Sequence, residues 1–234
     1  MNKVEIISIG YKIAHHWNLI LFTVLTLTGA ALFSIEVMGW LAYAVGTPFS
    51  TLLGTDPVTA GAQLVRTSHR FIGFVWGALL IVYAMYLLVF RRIEIFKPLA
   101  KPLSQQIKEV KAITSHYMFG KPMPPQVAQS LDRHNVLVSY MTIVLITAVM
   151  LLSISGVALV FKETLGLGPS VALLLLLLHD VGFVLSLLFV ALHLFAVLHP
   201  ANRPLLAAMF GDGTADLAWL RAHMPRFLAR RGIK

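Results

Sequence analysis

Residues 173–199 read LLLLLLHDVGFVLSLLFVALHLFAVLH. The run is apolar and longer than the roughly 20 residues a helix needs to cross a hydrocarbon core of about 30 Å. It nevertheless carries His179, Asp180, His193 and His199, polar groups that each cost free energy in lipid and therefore call for a function. The rest of the chain agrees with the first half of that reading. Of its 234 residues, 58% are hydrophobic and 12% charged, against about 25% charged in a soluble domain. Mean hydropathy is +0.80. A membrane protein is expected. Cysteine is absent, which excludes disulfides, iron–sulfur ligation by this chain and thiolate zinc sites.

Four segments can span a bilayer: Trp17 to Leu41, Phe71 to Phe90, Val136 to Phe161 and Val171 to Leu198. Lipid gives the backbone no hydrogen-bond partner, so each is expected to be helical. The first run exceeds the h-region of a signal peptide and is expected to be retained. Of the 19 Lys and Arg residues, only Arg66, Arg70 and Lys162 fall on one side of these segments. The others lie in residues 1–16, in the loop from Arg91 and Arg92 to Arg133, and in residues 199–234. The positive-inside rule then makes both termini cytoplasmic. The fold class read from this pattern is all-α, an integral membrane four-helix bundle. Residues 1–200 are expected to form the transmembrane domain and residues 201–234 a basic cytoplasmic tail. The formal charge of +9 is accounted for by this topology, and nucleic acid is not an expected partner.

The outward stretch GTPFSTLLGTDPVTAGAQLV mixes Gly, Pro and Asp with short apolar pieces and reads as a re-entrant or surface half-helix. The inward loop holds a short amphipathic helix around Leu103 to Tyr117. No internal repeat stands out.

The nine histidines sort by depth. His179 and His193 are fourteen residues apart, which brings them within about 40° on one helix face and separates them by about 21 Å along the axis. One falls in the outer half of the bilayer and one in the inner half. At matching depths stand His69, at the outer start of the second helix, and His16, at the cytoplasmic start of the first, with His15 beside it as the alternative. Two stacked bis-histidine pairs, His69/His179 outside and His16/His193 inside, are what two b-type haems require of a four-helix bundle. Zinc would need further ligands at each depth. His199 lies about 200° around from His179 and faces away.

Gly73 and Gly182 fall near the ligand faces and would admit a macrocycle, or else serve helix packing. Arg66 and Arg70 flank His69 and could neutralise haem propionates. Asp180 reads as a partner of a ligand or part of a proton path.

These residues resemble a known family. HHW at 15–17, LTG at 27–29, WLAYAVGTP at 40–48, HRFIG at 69–73 and the pair His179 and His193 are similar to the cytochrome b (gamma) subunit of membrane-bound respiratory formate dehydrogenase. That family sits within a wider group of di-haem cytochrome b subunits of hydrogenases and thiosulfate reductases. The resemblance implies that electrons arrive from a periplasm-side iron–sulfur subunit, itself served by a catalytic subunit of the molybdenum or tungsten kind. They would pass through two haems to menaquinone or ubiquinone near the cytoplasmic face. It also implies a quinone pocket at Asn135 and His134 in DRHNVLV, although Val136, Leu137 and Val138 replace the family's polar residues there. Asn135 is equally suited to capping a helix. The alternatives are a stand-alone membrane cytochrome b acting on quinone, and a haem-free membrane protein with a histidine proton relay.

Overall fold

The computed structural model describes residues 3–90 and 93–233. Arg91 and Arg92 of the basic inward loop, and Lys234 of the tail, lie outside the described residues. A strand β1 (Lys3–Glu5) leads into α1 (Ile9–Phe33), followed by α2 (Ile35–Gly46), α3 (Ser50–Leu53) and α4 (Pro57–Phe90). Then come α5 (Leu103–Phe119), α6 (Pro125–Ser130), α7 (Val136–Val160) and α8 (Pro169–Leu198). The remainder folds as α9 (Arg203–Phe210), β2 (Thr214–Asp216), α10 (Leu217–His223) and α11 (Pro225–Arg230).

Four of these helices, α1, α4, α7 and α8, are long and apolar enough to cross a membrane. Their outward faces stay apolar: on α8, Leu173, Leu177, Val184 and Leu188 are between 50% and 69% exposed, as lipid-facing residues are. The amphipathic helix expected around Leu103 to Tyr117 is α5.

Two expectations need correction. The first span begins at Ile9 rather than Trp17 and ends at Phe33; Leu41 belongs to α2. The break is made by Ser34, whose extended backbone and hydroxyl cap α2 by accepting the N–H of Val37. The second span begins fourteen residues before Phe71. Asp56 accepts the N–H groups of Val58 and Thr59, both at 3.0 Å, and Pro57 occupies the first helical position, where its missing N–H costs nothing. The supposed half-helix, residues 46–65, is therefore the last residue of α2, a 3-10 turn at Thr47–Phe49, the short α3 and the opening turns of α4.

Contacts divide the chain into two compact units. One comprises residues 13–89 and 147–186. Within it, Gly46 and Gly61 put α2 and α4 in backbone contact: a Cβ on Gly46 would collide with the Pro57 carbonyl, and one on Gly61 with the Ala42 carbonyl. Trp76 of α4 is buried and donates its Nε1–H to Asn18 Oδ1 of α1 at 2.8 Å. Gly182 of α8 closes on α7, where a Cβ would meet Leu151, Leu152 and the Ala148 carbonyl at 3.0–3.1 Å. Small residues at helix contacts are how apolar helices associate when lipid removes the hydrophobic drive.

The other unit comprises residues 1–12, 90–146 and 187–234. Residues 201–233 are folded in it. β1 pairs antiparallel with β2, with Val4 opposite Ala215. Beside the ladder, Ile6, Ile7, Leu217, Leu220, Phe227 and Leu228 form a core. Arg230 reaches both Glu94 and Asp132 at 2.7 Å. The buried Glu109 of α5 pairs with Lys101 and accepts the N–H of Val136 at the start of α7.

Candidate functional site

His69 lies in the fourth turn of α4 rather than at its start, because α4 begins at Pro57. His179 lies in the third turn of α8. Both belong to the unit of residues 13–89 and 147–186, and the fold brings them together. Their ring centroids are 6.2 Å apart with planes inclined at 76°. A metal–imidazole bond is about 2 Å long, so two imidazoles on opposite sides of one ion hold their centroids about 6 Å apart. The separation fits a single shared iron.

The two rings are held alike. Thr28 of α1 places its hydroxyl 2.8 Å from His69 Nδ1. Ser155 of α7 places its hydroxyl 3.0 Å from His179 Nδ1. Each hydroxyl is followed by a glycine against which the same ring lies: a Cβ on Gly29 would stand 3.4 Å from His69 Cε1, and one on Gly156 3.1 Å from His179 Cε1. Reading the sequence for histidines missed Thr28 and Ser155. The available signal was the likeness of LTGAAL at 27–32 to ISGVAL at 154–159, which qualifies the statement that no repeat stands out.

The flanking residues divide. Arg66 and Arg70 are exposed on α4. Gly73, one turn beyond His69, faces open space: a Cβ there would meet nothing within 4 Å. Gly182 is instead absorbed in the α7–α8 contact, so of its two readings packing is the one observed. Asp180 is half-buried on α8.

His16 is half-buried on α1, its ring 6.0 Å from that of His15. His193 is half-buried on α8 and stacks on Phe189, with centroids 5.5 Å apart at 15°. The two belong to different units. In the unit of His193, the ring of His199 meets Tyr117 edge-on at 4.8 Å.

At the foot of α7, Asn135 caps the helix: its Oδ1 accepts the N–H of Val138 at 3.0 Å. His134 lines a cavity of about 510 Å³ together with Glu94, Lys101, Asp132, Arg226 and Arg230. Burial, aided by the charge of Arg133, lowers the His134 pKa to about 4, so the ring is neutral near pH 7. The hydrogen bonds from Lys97 and Arg230 hold the Glu94 carboxyl at about 2.

Two imidazoles brought within 6.2 Å of each other inside a unit that holds parts of four apolar helices form a ligand set for a b-type haem. Comparison with known proteins points the same way. A search of curated proteins finds no match. A family model for prokaryotic cytochrome b561 matches residues 6–212, most of the chain and all four spans. The chain therefore belongs to the prokaryotic cytochrome b561 family, membrane cytochromes b that bind b-type haem and take part in electron transfer.

Proposed function

We propose that the chain is the membrane-embedded, di-haem subunit of a respiratory oxidoreductase complex of the formate dehydrogenase kind. It accepts electrons from an iron–sulfur subunit on the outer face and delivers them to quinone near the cytoplasmic face. The observation that carries this reading is the approach of His69 and His179, with centroids 6.2 Å apart and a hydroxyl at each Nδ1.

In this reading His69 and His179 hold the outer haem, and His16 and His193 the inner one. When bound, each haem supplies a one-electron redox centre. The protein's part is to bind, orient and keep water out. Arg66 and Arg70, one turn or less from His69, supply cations for the propionates. The open space beside Gly73 leaves room for a macrocycle to approach α4. Reduction of a quinone to a quinol takes two electrons and two protons. His134, neutral and lining a cavity at the foot of α7, supplies a hydrogen-bonding group for a quinone carbonyl there. Asn135 has its oxygen engaged in the helix cap, so only its amide N–H groups are available to a ligand.

Haem content per chain and reduced-minus-oxidised spectra of His69→Ala, His179→Ala and His193→Ala, purified from membranes, test the assignment. The first two variants are expected to lose the same half of the wild-type haem, and the third the other half. Loss of both haems in every folded variant, or of neither, overturns the pairing. Copurification of an iron–sulfur protein with the full chain tests the proposed partner.

A further inference from the structure

We infer that Thr28 and Ser155 are positioning residues that lock His69 and His179 in the metal-binding tautomer; this rests on the haem reading above. The inference follows from counting protons. A threonine or serine hydroxyl has one proton to donate and lone pairs to accept with. The Thr28 hydroxyl lies 2.7 Å from the Val24 carbonyl, one turn back on α1, and 3.2 Å from that of Leu25. A carbonyl can only accept, so the arrangement that makes a hydrogen bond of both contacts sends the hydroxyl proton to the carbonyl. The Ser155 hydroxyl is likewise bonded to the Leu151 carbonyl, one turn back on α7.

With those protons engaged, each hydroxyl oxygen can only accept from the imidazole nitrogen facing it. His69 Nδ1 and His179 Nδ1 must then carry hydrogen, and in a neutral ring the lone pair is left on Nε2. That is the nitrogen available to iron, and both rings reach this state by the same device. A histidine ligand that donates its other N–H becomes a more basic ligand with a fixed ring orientation. The glycine after each hydroxyl completes the arrangement. A methyl at position 156 would stand 3.1 Å from His179 and push the ring from the hydroxyl, and one at position 29 would lie against His69 at 3.4 Å. Each half of the site is thus a hydroxyl and a glycine on one helix, gripping a histidine on the next.

The test uses the full chain in its native membrane complex and reads redox titrations by optical and electron paramagnetic resonance spectroscopy. Thr28→Val keeps the shape of the side chain and removes the acceptor, and Ser155→Ala does so with one atom less. Each is expected to raise the midpoint potential of the outer haem, because a less basic ligand stabilises the ferric state less. A tenfold change in relative affinity for the two oxidation states corresponds to 59 mV for a one-electron couple. Affinity for the outer haem should fall about 10- to 100-fold, the usual cost of removing such a partner. Thr28→Ser and Ser155→Thr should restore the wild-type potential. The inner haem, left unchanged, reports that each variant is folded. Unchanged outer-haem potential and resonance in both Thr28→Val and Ser155→Ala overturn the positioning role even if His69→Ala loses its haem. Retention of all haem in His69→Ala and His179→Ala overturns instead the ligand assignment beneath it.

Discussion

Glu109 accepts the backbone N–H of Val136 at 2.9 Å, so a carboxylate from α5 closes the N-terminus of α7. It does so from a site only 4% exposed and while paired with Lys101. A negative group at a helix N-terminus is favoured by the unsatisfied N–H groups and by the helix dipole.

Removing that carboxylate should therefore loosen α7 from α5. Glu109→Ala leaves a buried N–H without its acceptor and should cost about 1–3 kcal/mol. Glu109→Gln, which keeps an acceptor oxygen, should cost less. Asn135→Ala removes the neighbouring cap and should cost about 1 kcal/mol. Thermal unfolding in detergent, followed by helical circular dichroism, ranks the three.

Gly61→Ala should be far more damaging than its one added methyl suggests, because that carbon would occupy the space of the Ala42 carbonyl. Backbone cannot move aside as a side chain can, so a loss of about 3 kcal/mol or more is expected. Gly77→Ala, with nothing within 4 Å of the new carbon, should change stability by no more than about 1 kcal/mol. Yield of monodisperse protein and its melting temperature separate the two cases.

The unit holding His134 and Glu94 should lose stability as pH falls, in two overlapping windows. The pKa of His134 is lowered from 6.5 to about 4, so the unfolded chain takes up its proton first. Stability from the neutral ring is complete above pH 6.5 and declines between about 6.5 and 4. Glu94 is lowered from 4.5 to about 2, and its contribution declines below pH 4.5. His134→Gln should flatten the first window and leave the second, as read from melting temperatures between pH 7 and pH 2.

If the proposed quinone contact is made at His134, His134→Leu should lower the rate of haem reduction by quinol roughly tenfold, the loss of one good hydrogen bond, while leaving the haem spectrum intact. A quinol rate equal to wild type would overturn that contact.

The spans were legible in the sequence because lipid imposes length and hydrophobicity on any segment that crosses it. The ends were not. Lys12, His15 and His16 look like the flank of a helix on a hydropathy scale, but the backbone hydrogen bonds of α1 run through them. GTPFSTLLGTDPVTAGAQLV reads as a re-entrant or surface half-helix because Gly, Pro and Asp usually mark turns around short apolar pieces. Here Gly46 and Gly61 are contact residues between α2 and α4, and Asp56–Pro57 is a helix start. The approach of His69 to His179 was legible as matching depth on two spans. Thr28 and Ser155 were not, because a hydroxyl on an apolar helix ordinarily bonds only to its own preceding turn, as both of these also do.

The ladder of β1 and β2 joins residues 3–5 to residues 214–216. Ribosomes deliver chain at about 5–20 residues per second, so β1 waits on the order of ten to forty seconds for its partner strand. By then all four spans have been handed to the insertion machinery. The ladder therefore closes only after nearly the whole chain has been made, and it ties the residues before the first span to the segment that follows the last.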